Sequence, residues 1–221
     1  MNTATTTRIV AASFAPDRTL ALGPHGSDWG AAQQIDIPLE PTPLESQPSA
    51  YVQAAWAERQ HGVTPSACVA AAIADGVLRV RLRWTALNPR PAITDNNVFA
   101  DACALLFPLN GEDAPLETMG NTANPVQAWQ WRAGTPTPFV LNASGPGTST
   151  RQSAAHGVSV DATWNAGEWS VVFARTMADP GVPLKAGGQI RFGIAVWQGA
   201  AEERAGLAAH TPRWLALALP R

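Results

Sequence analysis

Apolar and polar positions alternate most cleanly over residues 78–84, the second arm of a pattern that sharpens from Cys68. Cys68–Ala74 and Val77–Trp84 flank Asp75-Gly76, a pair whose two positions both accept positive φ and therefore predict a tight type I′ hairpin. In the second arm Leu78, Val80, Leu82 and Trp84 alternate with Arg79, Arg81 and Arg83. One face is thus apolar, and the other carries three guanidinium groups that read as a solvated outer face or as a docking surface. Further strands are predicted at Phe99–Phe107, Val126–Arg132, Val158–Trp164, Trp169–Arg175, Gln189–Trp197 and Arg213–Leu219. Asn165-Ala166-Gly167 supplies a second hairpin turn, and Ile190, Phe192, Ile194 and Val196 share one face of their strand.

Between these runs the punctuation is dense. Residues 133–157 are rich in Gly, Pro, Ser and Thr and read as a long surface connection, and Gln198–Pro212 reads as a loop. Residues 1–66 form an irregular N-terminal segment that packs on the core or on a partner, with an extended edge piece near Ile35–Leu39 and a strand or short helix within Tyr51–Gln60. Residues 67–221 form the main body, the whole being one domain. Seven or eight strands with hairpin signals and no amphipathic helix predict an all-β fold, an antiparallel β-sandwich.

Composition narrows the function. The 221 residues include 46% hydrophobic and only 14% charged, and a net charge of −2 with no basic run excludes a nucleic-acid footprint. No apolar stretch approaches the roughly 20 residues of a membrane span. The N-terminus, MNTATTTRIVAASFAPDRTLALG, has no charged region followed by an apolar one, so no secretory signal is read there. Cys68 and Cys103 stand too far apart for a CxxC motif and are read as buried free thiols, with a disulfide as the alternative.

The usual catalytic constellations are missing. His25, His61, His156 and His210 have no zinc spacing, and no nucleophile elbow or phosphate loop occurs. What stands out is Met119, a single methionine placed before a glycine on an irregular loop between two aromatic-rich strands. A thioether there either fills a gap in the core or serves as a soft ligand for haem iron or copper(I).

Several segments then occur in a telling order: DGVLRVRLRW at 75–84, DNNVFADACALLFP at 95–108, MGNTANPVQAWQW at 119–131, WNAGEWSVVFART at 164–176 and IRFGIAVWQGAAEERAG at 190–206, with Trp29 in SDWGAA near the start. On these the chain resembles the haem b-binding gamma subunits of the ethylbenzene dehydrogenase, dimethylsulfide dehydrogenase, chlorate and selenate reductase group of molybdenum enzymes. The resemblance implies an immunoglobulin-like sandwich holding one non-covalent haem b. It also implies a heterotrimer with an iron–sulfur beta subunit and a molybdopterin-containing alpha subunit, and electron exchange with a soluble cytochrome or other acceptor.

The family's axial ligands are a methionine, at the position of Met119, and a lysine shortly after the Trp-x-Gly…Glu-Arg-x-Gly segment. Here that stretch, WQGAAEERAGLAAHTPRW, has no lysine. His210 is therefore expected as the second ligand, with Lys185, the single lysine of the chain, as the weaker alternative. Trp84, Phe99, Phe107, Trp129, Trp131 and Trp197 are candidates for the pocket wall, Phe107, Trp131 and Trp197 foremost. Family precedent implies a periplasmic complex, reached by co-export with a signal-bearing partner, and a cytoplasmic one is the alternative. The competing function class is a haem-free sandwich, either carbohydrate-binding or purely structural.

Overall fold

The computed structural model describes residues 6–15, 19–96, 98–110, 114–152 and 156–221; Asn97 of the segment 95–108 and the first five residues lie outside them. The chain opens with β1 (Arg8–Val10), β2 (Ala12–Ser13), β3 (Gln34–Pro38) and β4 (Glu40–Pro41). The short helix α1 (Ala50–Trp56) follows, capped by the Ser49 hydroxyl, which accepts from the Val52 N–H. Next come β5 (Ser66–Ala74), β6 (Val77–Thr85), β7 (Ala102–Pro108), β8 (Val126–Arg132), β9 (Phe139–Ala143) and β10 (Thr150–Arg151). The chain closes with β11 (Ser159–Asn165), β12 (Glu168–Thr176), β13 (Gln189–Trp197), β14 (Ala209–His210) and β15 (Leu215–Ala218).

Two sheets result. One runs β1-β15-β13-β7-β8-β9-β10, with β14 also pairing β13 and β4; the other runs β11-β12-β6-β5-β2, with β3 pairing the same β5. The all-β sandwich expected from the periodicity is the fold observed. Both predicted hairpins form, and their turns use positive φ at Asp75 (53°), Gly76 (69°), Ala166 (48°) and Gly167 (88°), the geometry that suits the twist of the flanking strands.

The N-terminal segment holds the expected edge piece as β3 and a short helix overlapping Tyr51–Gln60 as α1, and adds two strands that join the sheets. β1 pairs β15 in parallel, and two residues on β2 pairs β5 in parallel, so the chain passes from one sheet to the other across Ala11. β3 occupies the remaining edge of β5. Strands of two and three residues leave no periodic signal, because their register comes from partners far along the chain. The 133–157 connection likewise contains β9 and β10, and the 198–212 loop contains β14.

The core lies between the sheets. Val69, Leu82, Trp84, Val171 and Phe173 from one face Cys103, Leu105, Phe107, Trp129 and Ile194 from the other, all almost fully buried. Trp131 and Trp169 approach edge-on at 4.9 Å between ring centroids, and Phe107 and Trp129 lie tilted at 4.6 Å. Arg175 keeps the inward parity of β12 and is buried with them. Its Nη1 donates to the Val182 carbonyl at 2.8 Å and its Nη2 to the Asp179 carbonyl, with the guanidinium over the Trp129 ring. Burial lowers its pKa.

The arginine stripe of β6 is not a solvated face. Residues 20–34 fold over it: Arg81 is buried, sits 4.8 Å over the Trp29 ring, and donates to Gln34 Oε1 at 3.0 Å. Gln34 and Arg81 both pair with Ala70 of β5, so the contact lies along one cross-strand row. Burial, together with the neighbouring Arg83, pushes Arg81 down to about 10.

Candidate functional site

The outer face of the larger sheet carries the site. Side chains of β7 alternate, so while Cys103, Leu105 and Phe107 enter the core, Ala104 and Leu106 point outward. The same alternation turns Ala128 and Gln130 of β8, Leu141 of β9, and Ala195 and Trp197 of β13 to that face. Three loops stand over it and close a cavity of about 500 Å³. They are the Ser46–Val52 stretch leading into α1, the Glu117–Met119 turn, and the Gly145–Ser149 turn, joined on the far side by Arg204–Leu207. The volume falls within the range of small-molecule and cofactor pockets, and Ala104, Ala128, Leu106, Leu141 and Trp197 make the floor mostly apolar.

Met119 is held in this wall by an unusual backbone. Its φ is +55°, the left-handed region that a residue with a Cβ enters at a cost of about 1–2 kcal/mol. The turn imposes it: Met119 N–H donates to the Leu116 carbonyl at 3.1 Å, and Gly120 N–H to the Pro115 carbonyl at 2.7 Å. Gly120 follows at φ +87°, and a Cβ there would stand 2.5 Å from the Asn124 carbonyl oxygen, so only glycine fits. Asn121 Oδ1 then accepts from the N–H groups of Ala123 and Asn124, returning the chain to β8. Residues in strained conformations cluster at functional sites, where the surroundings hold them. Met119 lines the cavity and packs against the outer-face cluster around Leu106, Leu116 and Ala128.

A second wall is clasped across the sequence. Gln47 Nε2 donates to the Gly206 carbonyl at 2.9 Å, and the Thr42 hydroxyl bonds the same carbonyl at 2.5 Å. A Cβ on Gly206 would meet Gln47 Oε1 at 2.2 Å, so a side chain there would displace the Gln47 amide. Trp197 closes the end of the floor, its Nε1 donating to the Ala205 carbonyl at 3.0 Å. Arg204 lines the rim, its guanidinium 4.4 Å over the Phe99 ring.

The structure therefore brings Met119 and Trp197 to one cavity and leaves the other expected site residues outside it. Phe107 and Trp131 point inward, because their parity on β7 and β8 is that of the core. Trp84 and Trp129 do the same. Lys185 lines a separate cavity with Pro108, Val182 and Gln189. His210 shares the outer face, since its β-partner Ala195 also pairs Ala104, but it is not among the residues lining the cavity. Its ring is buried, which lowers its pKa against the opposing pull of the Thr211 backbone and of Glu117 and Glu40.

Sequence reading did not single out Ala104, Ala128, Gln47, Gly206 or Leu207. One signal for the floor was present: Ala102–Phe107 is apolar at every position, the mark of a strand covered on both faces. Among the described residues no cluster of three or more His, Cys, Asp or Glu is placed to hold a bare metal ion.

Comparison with known proteins decides the lineage. The family model described as ethylbenzene dehydrogenase matches residues 26–163, more than half of the chain. The chain belongs to that family. Within the ethylbenzene dehydrogenase family match lie Met119, the β7–β8 floor and the Ser46–Val52 wall. The chain is 37% identical over 144 residues to the chlorate reductase gamma subunit of Ideonella dechloratans, an alignment covering 64% of this chain and 59% of that protein. It is 32% identical over 193 residues to a Haloferax mediterranei protein named as a respiratory nitrate reductase haem subunit, covering 77% of this chain and 68% of that protein. The chain thus spans about three fifths of the length of the chlorate reductase subunit. In fold it is similar to a Bacteroides uniformis protein named for carbohydrate binding, with a TM-score of 0.59 at 8% identity over 97% of this chain and all of that one. At that identity the likeness is one of fold alone.

Proposed function

We propose that the cavity holds one haem b with Met119 as an axial ligand, and that the chain is an electron-transfer subunit of a molybdenum-enzyme complex. The observation that carries the reading is Met119 itself, a turn residue at positive φ that lines a cavity of about 500 Å³ with a mostly apolar floor. The donor chemistry fits: a thioether suits haem iron, and Ala104, Ala128, Leu106 and Leu141 offer apolar contact to a flat macrocycle. A relative named as a haem subunit supports the same assignment.

Haem iron, when bound, supplies one-electron chemistry between ferric and ferrous states, and a methionine ligand raises its potential. This chain's residues would provide the rest. Met119 fixes the iron's position, the alanine floor and Trp197 exclude water from one face of the ring, and Arg204 at the rim carries the positive charge that a propionate seeks. The partners proposed are an iron–sulfur beta subunit, a molybdopterin-containing alpha subunit, and a soluble cytochrome as external acceptor. Assembly with an exported partner would bring the complex to the periplasm, which fractionation of the native complex tests.

The test of the cofactor is optical. Full-length protein expressed with ample haem should show a Soret band, and an α-band on reduction, and Met119→Ala should shift or abolish both. A colourless protein that binds no haem under those conditions overturns the reading and returns the chain to the haem-free class of sandwiches.

A further inference from the structure

We infer that Glu203 is the latch of the cavity: its buried carboxylate holds the Gln198–Leu207 strap against residues 62–63 and so governs how firmly the cavity keeps what it binds. For haem the inference rests on the proposed site, and for the wall itself it stands on geometry alone.

The strap has no sheet to hold it. It leaves β13 after Trp197 and reaches β14 at Ala209, with a single 3-10 turn at Gly199–Ala201 as its regular part. Four of its residues, Arg204, Ala205, Gly206 and Leu207, line the cavity. Two carry the left-handed backbone that a side chain disfavours, Glu202 at φ +60° and Ala205 at φ +50°. They bracket Glu203 and Arg204. A segment strained on both sides of one residue keeps its shape only while its surroundings hold it.

Glu203 supplies the hold. It is 1% exposed. Its Oε1 accepts from the Val63 N–H at 2.8 Å and its Oε2 from the Gln198 N–H at 2.7 Å, and the Gly62 backbone bonds the same carboxylate. Bonds from N–H groups to an ionised carboxylate are the stronger kind. One side chain thus ties the strap to a stretch 140 residues earlier in the chain. Burial pushes its pKa up, against the pull of those bonds and of His61. A charge kept at that cost adds little stability over an apolar residue, and what it fixes is one arrangement of the chain.

The Glu-Arg-x-Gly segment of the sequence therefore has linked tasks. Glu203 anchors it, and Arg204 follows at the cavity rim, its guanidinium 4.4 Å over the Phe99 ring. The Ala205 carbonyl accepts from Trp197 Nε1 at 3.0 Å, and the Gly206 carbonyl from Gln47 Nε2 at 2.9 Å. Without the Glu203 carboxylate these neutral bonds hold the wall alone. The floor on β7 and β8 keeps its own ladder, so the cavity loosens first on the strap side.

The experiment follows amide exchange in the full-length chain without haem, and haem transfer to apomyoglobin in the haem-loaded protein. Glu203→Gln keeps the shape and removes the charge. Val171→Ala, a core change on β12, lowers stability and leaves the strap untouched. In Glu203→Gln the Val63 and Gln198 amides should exchange about tenfold faster, the factor to which a lost charge-assisted bond corresponds. Amides of β5 and β12 should move no further than in Val171→Ala. Haem should leave Glu203→Gln faster by a similar factor, and leave Val171→Ala near the parent rate. Ala205→Gly removes one strained residue and should slow exchange at Val63 and Gln198 about fivefold, which carries the test if Glu203→Gln does not fold. Exchange that rises evenly over both sheets and the strap overturns the inference, because the strap then opens only with the whole fold. Unchanged strap exchange in Ala205→Gly, or haem loss as fast in Val171→Ala as in Glu203→Gln, overturns it as well. Absence of a Soret band counts against the haem reading alone, since amide exchange still decides the latch.

Discussion

Met119 donates its backbone N–H to the carbonyl of Leu116 at 3.1 Å, and at its positive φ the next N–H, that of Gly120, reaches the Pro115 carbonyl at 2.7 Å. Backbone and side chain therefore pull in different directions at this residue. The left-handed conformation favours glycine, while the cavity is served by a thioether. Met119→Gly should separate the two: relief of about 1 kcal/mol of backbone strain offsets the packing lost by a half-buried side chain. The expected outcome is a Tm within about 4 °C of the parent, since a change of 1 kcal/mol moves a domain of this size by about 2–4 °C. Haem retention should collapse in the same variant. A large loss of Tm would mean that Met119 is chiefly a core residue.

Gly206 tests the clasp on the other side of the cavity. A methyl group there would meet Gln47 Oε1 at 2.2 Å, forcing the Gln47 amide away from the Gly206 carbonyl it now holds. Because Gln47 is the end of a flexible side chain, the fold should lose only about 1–2 kcal/mol. The wall shared by the Ser46–Val52 and Arg204–Leu207 stretches should nonetheless shift. Gly206→Ala is expected to weaken haem binding, measured by haem transfer to apomyoglobin, far more than it changes the denaturation midpoint.

Asp101 organises the loops at the end of the sandwich that leads into β7. Its Oδ2 accepts from the Arg90 N–H and the Trp169 Nε1–H, and its Oδ1 from the Gly199 N–H, each at 2.8 Å. Asp101→Ala leaves three donors at a buried site without a carboxylate, at a cost on the order of 3–5 kcal/mol. Chemical denaturation should register that loss. Asp101→Asn should recover part of it, because one oxygen remains to accept.

How much of this could be read in the chain depends on where each feature gets its information. The hairpins β5–β6 and β11–β12 and strands β8 and β13 were legible because period-two alternation and turn residues are local signals. The sheet-switching β1 and β2 were not, because their pairing is with β15 and β5, far along the chain. Met119 was legible as an oddity, a methionine before a glycine in a loop. Which aromatic residues would join it was not, because Phe107 and Leu106 are neighbours pointing to opposite faces, and parity decides which of them meets the cavity. His210 falls near the expected place in sequence, and β14 seats it between β4 and β13 beside the cavity wall.

The two cysteines stand on different sheets, Cys68 on β5 and Cys103 on β7, and both are free thiols. Cys103 is fully buried in the core, and burial drives its pKa well up, which suppresses the thiolate that reacts. Cys68 is half-buried and within 3.5 Å of Arg83 Nη2. A thiol reagent should therefore modify one cysteine in the native protein and two in denaturant, with mass spectrometry assigning the native adduct to Cys68. A single reactive thiol in denaturant, or none, would contradict this arrangement.

His210 gives the stability a predictable dependence on pH. Its folded-state pKa lies below the unfolded imidazole value of about 6.5, because burial disfavours the cation more than Glu117 and Glu40 favour it. Between the two values the unfolded chain binds a proton that the folded chain does not, so stability rises with pH across that window. The contribution is fully present above about pH 6.5 and is lost as pH falls toward and through the folded-state value. Replacing His210 with Gln, which is neutral throughout, should flatten this part of the profile while leaving the carboxylate-driven loss at lower pH in place. Urea midpoints at half-unit intervals from pH 5 to pH 8 are the measurement. If the parent and His210→Gln curves run parallel, His210 titrates alike in the two states. If the variant is the steeper of the two, the ring is held as a cation, and Glu40 and Glu117 outweigh its burial.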